Sequence, residues 1–270
     1  MGNKPAIAII QARMTSSRLP GKVMLPLADK PVIDHIVEGA RLCKNVDDVI
    51  VATSKEKSDD PLADYCIENN IECYRGDLDN VLSRFVNILK SYNFDYFVRI
   101  TGDCPLIYPP FIDAQIKAIK KFDGDLLWSE KESSVLEGQG VHSTRSLFKV
   151  FNNTTDQNDF EHVGSVFFIS HPDQFKIVEM KIPGIFYEYD FRLTLDEKND
   201  YKLLSTIYEN LWKSKPLELL EVLLWLDNNP EIARINRTVK HKQLNRDIQE
   251  KKRKHWLSVP KIGFYRWEIT

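Results

Sequence analysis

The first half of the chain alternates short continuous apolar runs with longer stretches whose apolar residues recur at helical spacing. Ala6–Ile10 is apolar throughout, as expected of a strand buried on both faces of a parallel sheet. Asp48–Thr53, Glu72–Tyr74 and Tyr96–Ile100 predict three further strands. Behind Pro31, which suits a first helical turn, Val32, Ile33, Ile36, Val37 and Ala40 form a helical stripe. Asp60–Glu68, Asn80–Leu89 and a segment from about Pro110 to Lys121 predict the next three helices. Strand followed by helix, repeated, is the pattern of βαβ crossovers, so the fold class is α/β with a mainly parallel central sheet. In such sheets ligands bind at the carboxyl ends of the strands. The loops after Ile10, Thr53, Tyr74 and Ile100 are therefore where chemistry is expected.

The rhythm weakens from about Glu130 to Tyr187, where only Ser146–Phe151 suggests a helix and Gln174–Val178 a β-like piece. This stretch, residues 130–187, reads as an insertion or arm within one domain spanning 1–270. Phe191–Leu195 predicts a returning strand, and Glu197–Trp212 and Leu217–Trp225 predict helices. The last twenty or so residues have no clear period and are expected to wrap the surface.

Composition narrows the class. Hydrophobic residues make up 43% and charged residues 28%, which excludes disorder and coiled coil. With 37 basic against 39 acidic side chains the net charge is −2, so no global electrostatic case exists for a nucleic-acid partner. The run Lys251–Lys254 is offset by Asp247 and Glu250 and reads as a solvated face. No apolar run reaches the ~20 residues of a membrane span, and the N-terminus lacks a signal-peptide layout. A soluble, cytoplasmic protein without a membrane partner is expected. Cys43, Cys66, Cys73 and Cys104 show no Cys-x-x-Cys pairing and the six histidines no His-Glu-x-x-His spacing. Zinc is not expected, and the thiols are expected to be free.

The loop after the first strand, Gln11 to Lys22, places Arg13, Arg18 and Lys22 among Ala12, Thr15, Ser16, Ser17 and Gly21. At the end of a buried strand this composition makes an anion cradle, in which backbone N–H groups and hydroxyls donate while Arg and Lys neutralise charge. A triphosphate is its natural occupant; the alternative is a solvated surface loop. The loop is neither a Walker A motif nor a Gly-x-Gly-x-x-Gly fingerprint. Asp103, in the turn Thr101-Gly102-Asp103-Cys104-Pro105 after the fourth strand, suits Mg²⁺, which asks the protein for one or two carboxylates. An ordinary turn former is the rival reading. Asp196 offers a second carboxylate, or else caps the helix starting at Glu197. Asp200 reads as helical surface, with support of Asp196 as the alternative, and His142 and His162 as lone histidines of structural or exposed type, with contact to the acceptor as the alternative for His162.

Ala12-Arg13-x-x-Ser16-Ser17-Arg18-Leu19-Pro20-Gly21-Lys22 resembles the signature of the cytidylyltransferases that activate acidic sugars. These are the 3-deoxy-manno-octulosonate and acylneuraminate enzymes and, above all, the spore coat polysaccharide biosynthesis protein F group. The resemblance continues through Val51–Ser54, Asp59–Ala63, Tyr74–Gly76 with Asp79–Phe85, Arg99–Ile107, Glu161–Val163 and Arg192–Asp196. It implies a Rossmann-like nucleotidyltransferase fold, a homodimer contacting through residues 130–187, and transfer of CMP from CTP to an acidic-sugar hydroxyl with Mg²⁺ as cofactor. It also implies a nucleotide site of Ala12, Arg13, Ser17, Arg18, Lys22, Arg75 and Asp103, with Arg75 near the base. Arg13, Arg18, Lys22 and Asp103 are then the catalytic group, and Asp103 and Asp196 the metal ligands. A sugar-1-phosphate nucleotidylyltransferase using another nucleotide, or a non-catalytic nucleotide-binding module, are the alternatives. Where the spore coat relatives carry an acidic stretch on the acceptor side, this chain has Gly140-Val141-His142-Ser143-Thr144.

Overall fold

The computed structural model describes residues 5–131, 133–239 and 256–269. β1 (Ala6–Gln11) leads into the basic loop, which closes on two short antiparallel strands, β2 (Pro26–Leu27) and β3 (Lys30–Pro31). There follow α1 (Val32–Arg41), β4 (Asp48–Ser54), α2 (Asp60–Glu68), β5 (Glu72–Gly76), α3 (Val81–Ser91), β6 (Tyr96–Thr101) and α4 (Pro109–Phe122). Next come β7 (Leu126–Trp128), β8 (Gln139–Ser143), α5 (Thr144–Asn153), α6 (Gln157–His162), α7 (Ser165–Ser170) and β9 (Ile177–Lys181). The last described elements are α8 (Lys198–Leu211), α9 (Leu219–Asn228), α10 (Pro230–Ala233) and β10 (Gly263–Arg266).

Eight strands form one sheet in the order β10-β9-β7-β8-β6-β1-β4-β5. The pairs β6–β1, β1–β4 and β4–β5 are parallel, and β8 runs antiparallel to both β6 and β7. Side chains alternate across a strand. Ala6, Ala8 and Ile10 accordingly join the core under α1, α4, α8 and α9, while Ile7 and Ile9 join the core under α3, α5 and α7. Helices cover both faces, which is why β1 reads as an unbroken apolar run rather than an alternation. The N-terminal helices start as their sequence dictates: Pro31 precedes α1, and the Asn80 side chain accepts the Ser83 N–H at 2.9 Å to cap α3.

Three sequence expectations change. Residues 130–187 put β8 and β9 into the central sheet, where β8 pairs with β6 from Tyr96↔Ser143 to Ile100↔Gln139. The β-like piece begins at Ile177 rather than at Gln174. Phe191–Leu195 is extended but joins no sheet, because its backbone groups are taken elsewhere: the Leu195 N–H donates to the Asp103 carbonyl at 2.7 Å and the Asn236 amide to the Arg192 carbonyl at 2.9 Å. Near the C-terminus Gly263–Arg266 forms the edge strand parallel to β9. The Lys251–Lys254 run lies outside the described residues.

Candidate active site

β1 and β6 are parallel neighbours, so the loops after them lie side by side and frame a crevice at the strands' carboxyl ends. The loops touch closely. The Gly102 N–H donates to the Gln11 carbonyl at 2.9 Å, and a Cβ at Gly102 would lie 2.9 Å from Ala12 Cβ, so both positions need small residues. The basic loop folds back on itself through the Gly21 N–H, which donates to the Met14 carbonyl at 2.8 Å with Gly21 at φ +70°. That conformation favours glycine. Asp59, fully buried, pins the loop from the β4 side. Its carboxylate accepts the Met14 N–H at 2.7 Å, the Ser54 N–H at 3.2 Å and the Ser54 hydroxyl.

The loop delivers Lys22 to the centre of the crevice. Its ammonium donates to Asp103 Oδ2 at 2.9 Å, Asp196 Oδ1 at 3.0 Å and the Leu195 carbonyl at 2.8 Å. Arg18 reaches the same Asp196 Oδ1 at 2.9 Å and Glu197 at 3.3 Å. Arg192 holds Asp196 Oδ2 at 2.5 Å and Asp200 at 3.1 Å. Asp200 is fully buried and accepts the N–H groups of Asp196 and Glu197 at 3.0 and 2.9 Å, fixing the chain where the second carboxylate leaves it.

Burial alone would lower the Lys22 ammonium, but the charges and hydrogen bonds of Asp103 and Asp196 outweigh it and raise it above the ordinary 10.5. Burial alone would raise Asp196; Lys22, then Arg18 and Arg192, hold it below the usual carboxylate value. The sign of each contribution to stability follows. The Lys22 share is fully present below pH 10.5 and is lost as pH rises through the raised value. The Asp196 share is present above pH 3.8 and is lost as pH falls through the lowered one. Lys22→Ala is thus expected to cost about 2 kcal/mol near neutrality. In urea denaturation across pH, this gap should narrow at both extremes. A gap independent of pH would show that Lys22 contributes packing alone.

The structure therefore unites Arg18, Lys22, Asp103 and Asp196, and it leaves other predicted residues apart. Ala12 is buried beneath the loop and Ser17 is exposed on it. Arg13 meets Glu161 at 3.6 Å on the far side of β1. Arg75 is engaged by the segment after β4: its guanidinium donates to the Ser54 and Glu56 carbonyls and to Asp60 at 2.9, 3.0 and 2.6 Å. Asp196 does not cap α8. Glu197 does, in a capping box with Asp200, so Asp200 is not helical surface either. His142 sits in the core, stacked between Phe97 and Phe168 at 5.4 and 5.2 Å, and burial pushes it down to about 3. His162 ends α6. The sequence reading missed Asp59 and Arg192 as supports and preferred the surface for Asp200. Arg192, Asp196 and Asp200 follow one another at intervals of four, but 192–196 is not helical, and only the fold shows that Arg192 meets both carboxylates.

The donor set fits a hard divalent cation. Two carboxylates from different chain segments, with the Leu195 carbonyl, surround one cationic point now held by the Lys22 ammonium. Among the described residues no three His, Cys, Asp or Glu side chains gather into a metal cluster. Two carboxylates match the demand of Mg²⁺ when phosphates and water complete its shell.

Comparison with known proteins agrees with this geometry. An uncharacterised protein of Methanocaldococcus jannaschii is 34% identical over 244 residues, covering 90% of this chain and 99% of its own. Spore coat polysaccharide biosynthesis protein SpsF of Bacillus subtilis is 29% identical, covering 83% and 95%. A cytidylyltransferase structure from Leptospira borgpetersenii superposes with a TM-score of 0.78 at 27% identity, covering 87% of this chain and 99% of its own. A CMP:2-keto-3-deoxy-manno-octonic acid synthetase solved with CTP shares the fold, with a TM-score of 0.57 at 16% identity, covering 76% and 98%. No described helix is long and apolar enough to cross a membrane. The cytidylyltransferase profile itself matches residues 7–253, a span that takes in the basic loop and both aspartates; the chain belongs to the cytidylyltransferase family and is a nucleotidyltransferase enzyme.

Proposed function

We propose that the protein transfers CMP from CTP to a hydroxyl of an acidic sugar, in the synthesis of a surface polysaccharide or glycan precursor. The observation that carries this reading is the convergence of Lys22, Arg18, Asp103 and Asp196 at the end of β1 and β6. The acceptor oxygen bonds to the α-phosphorus, the bond from that phosphorus to the bridging oxygen breaks, and pyrophosphate leaves with both electrons of that bond. The proton of the attacking hydroxyl passes to solvent water as the new bond forms. Arg18 and Lys22, with Arg13 at the loop's edge, bind the triphosphate and neutralise charge growing on the leaving group, which is positioning plus electrostatics. Mg²⁺ bound by Asp103 and Asp196 would supply further neutralisation of the phosphate oxygens and a more acidic attacking hydroxyl. In that state Lys22 exchanges its carboxylates for phosphate oxygens, an ordinary swing for a flexible four-carbon stem. Arg75 and the β5 end face the base. The choice of cytosine and of an acidic sugar draws on the relatives: a 3-deoxy-manno-octulosonate cytidylyltransferase of Escherichia coli is 30% identical over 118 residues, 43% of this chain.

Ligand that binds only the native state raises the melting temperature. CTP with Mg²⁺ is expected to raise it more than ATP, GTP or UTP at equal concentration. Equal shifts for all four would replace the cytidylyl reading by a sugar-1-phosphate nucleotidylyltransferase of broader base choice. A shift with CTP but no release of pyrophosphate with any acceptor would favour a nucleotide-binding module without turnover, and no shift with any of the four would overturn nucleotide binding itself.

A further inference from the structure

Arg99 is a half-buried cation that the proposed mechanism leaves unused. It lies on β6, and alternation turns it to the same sheet face as Phe97. Its register partners there are Ile9 on β1 and Gly140 on β8. Other arginines of the molecule have carboxylates: Arg18, Arg75, Arg145 and Arg192 all meet one within 3 Å. Arg84, buried without one, spends its donors on the Asp77, Leu78 and Ala52 carbonyls. Arg99 donates only to neutral side chains, Gln11 Oε1 at 2.9 Å and, at the outer limit, Ser165 Oγ at 3.5 Å. Among the described residues no carboxylate lies within ion-pair distance of it.

That arrangement is costly without a ligand, since a charge taken from water needs a partner. Desolvation pulls the Arg99 guanidinium down to about 10, opposed by the more distant charge of Asp103. Yet the side chain keeps accessible surface.

Room exists beside it. Directly opposite residues of an antiparallel pair hold their Cβ atoms about 5 Å apart. At Gly140 a Cβ would meet only His142 Nε2, at 3.4 Å, so the place facing Arg99 is clear of other atoms. The turn between α6 and α7 forms the roof and is held rigidly. Val163, a β-branched residue, sits at φ +55° and Gly164 at φ +79°. Such a conformation is strained in valine and persists only when the surroundings fix it. Asp159 does so: its carboxylate accepts the Thr154 hydroxyl at 2.6 Å and the Phe167 N–H at 2.9 Å, and its carbonyl accepts the Gly164 N–H at 2.8 Å. The turn thereby sets Glu161 against Arg13 and Ser165 against Arg99. Arg99 precedes Asp103 by four residues, at most about 13 Å of extended chain, a separation that one monosaccharide and the flanking side chains bridge.

We infer that Arg99, beside Gly140 and beneath the α6–α7 turn, is a binding subsite for the anionic group of the acceptor, a carboxylate or a phosphate; this rests on the cytidylyl transfer proposed above.

The test is calorimetric titration of the protein holding Mg²⁺ and α,β-methylene CTP with 3-deoxy-manno-octulosonate, mannose 1-phosphate and neutral mannose. One anionic probe is expected to bind at least tenfold more tightly than mannose, and which one it is tells carboxylate from phosphate. Arg99→Gln should weaken that probe at least tenfold while the CTP analogue binds within twofold of the parent. Gly140→Val, which keeps the charge but fills the space, should do the same and covers the case in which Arg99→Gln fails to fold. Binding of neither anion to the parent, or probe affinities within twofold of the parent in the folded variants, overturns the assignment of Arg99. Failure of the CTP analogue to bind the parent sinks the transfer reaction itself, and the subsite with it.

Discussion

The Asp103→Asn variant is expected to lose turnover by about 100-fold or more while melting within a few degrees of the parent. Asparagine keeps the size and turn-forming ability of aspartate, and the side chain at 103 is one quarter exposed, so its ion pair with Lys22 stabilises the fold by no more than about 1 kcal/mol. Lys22 also retains Asp196 and the Leu195 carbonyl when Asp103 is neutralised. Catalysis has no such reserve, because among the described residues the carboxylates that meet at the Lys22 ammonium are those of Asp103 and Asp196. Asp196→Asn should behave alike. Glu197 caps α8, so no helix start is lost, and Arg192 keeps Asp200. Pyrophosphate release at rising Mg²⁺ concentration checks both variants, and each should demand more metal than the parent. More than a tenth of parental turnover in either one would remove that carboxylate from the metal seat.

Much of this site was legible before the fold was known, for a definite reason. An unbroken apolar run such as Ala6–Ile10 is tolerated only where helices cover both sheet faces, and that architecture puts ligands at the carboxyl ends of strands. Lys22 and Asp103, 81 residues apart, could therefore be assigned to one crevice from the loops they occupy, whereas Asp196, 174 residues from Lys22, follows a stretch that joins no sheet and is tied to the site through the family resemblance. What stayed hidden is what depends on partners remote in sequence. β8 is interrupted by Gly140 and carries the polar Gln139 and Ser143 on buried positions, so its period is masked; it becomes a strand because β6 and β7 offer it two edges. Phe191–Leu195 has the composition of a strand, but Asp103 and Asn236 take its backbone groups. Asp200 is polar in a first helical turn, which reads as surface until Asn236, 36 residues on, closes over it.

That closure gives Asp200→Ala the largest expected effect on stability. The carboxylate is fully buried and all of its donors are close: Arg192 Nε at 3.1 Å and the Asn236 amide at 2.8 Å on Oδ1, and the Asp196 and Glu197 N–H groups at 3.0 and 2.9 Å on Oδ2. Removing it takes the buried carboxylate from Arg192, itself 9% exposed, which keeps its pair with Asp196, and strands two backbone donors. Breaking a buried ion pair from one side costs about 3–5 kcal/mol, which for a chain of this size lowers the melting temperature by roughly 10 °C. Asp200→Asn should fall between Ala and the parent. Its amide oxygen still serves Arg192 and Asn236, while its NH₂ group meets two N–H donors that it cannot accept. Both variants should also lose activity beyond their loss of folded protein, because Asp200 holds the backbone from which Asp196 reaches Lys22. Urea denaturation gives the order expected for a buried anchor: Ala most destabilised, Asn less, and Asp196→Asn least. A cost below about 1 kcal/mol for Asp200→Ala is the value of an exposed pair, and it would mean that Arg192 is held at Asp196 without help from α8.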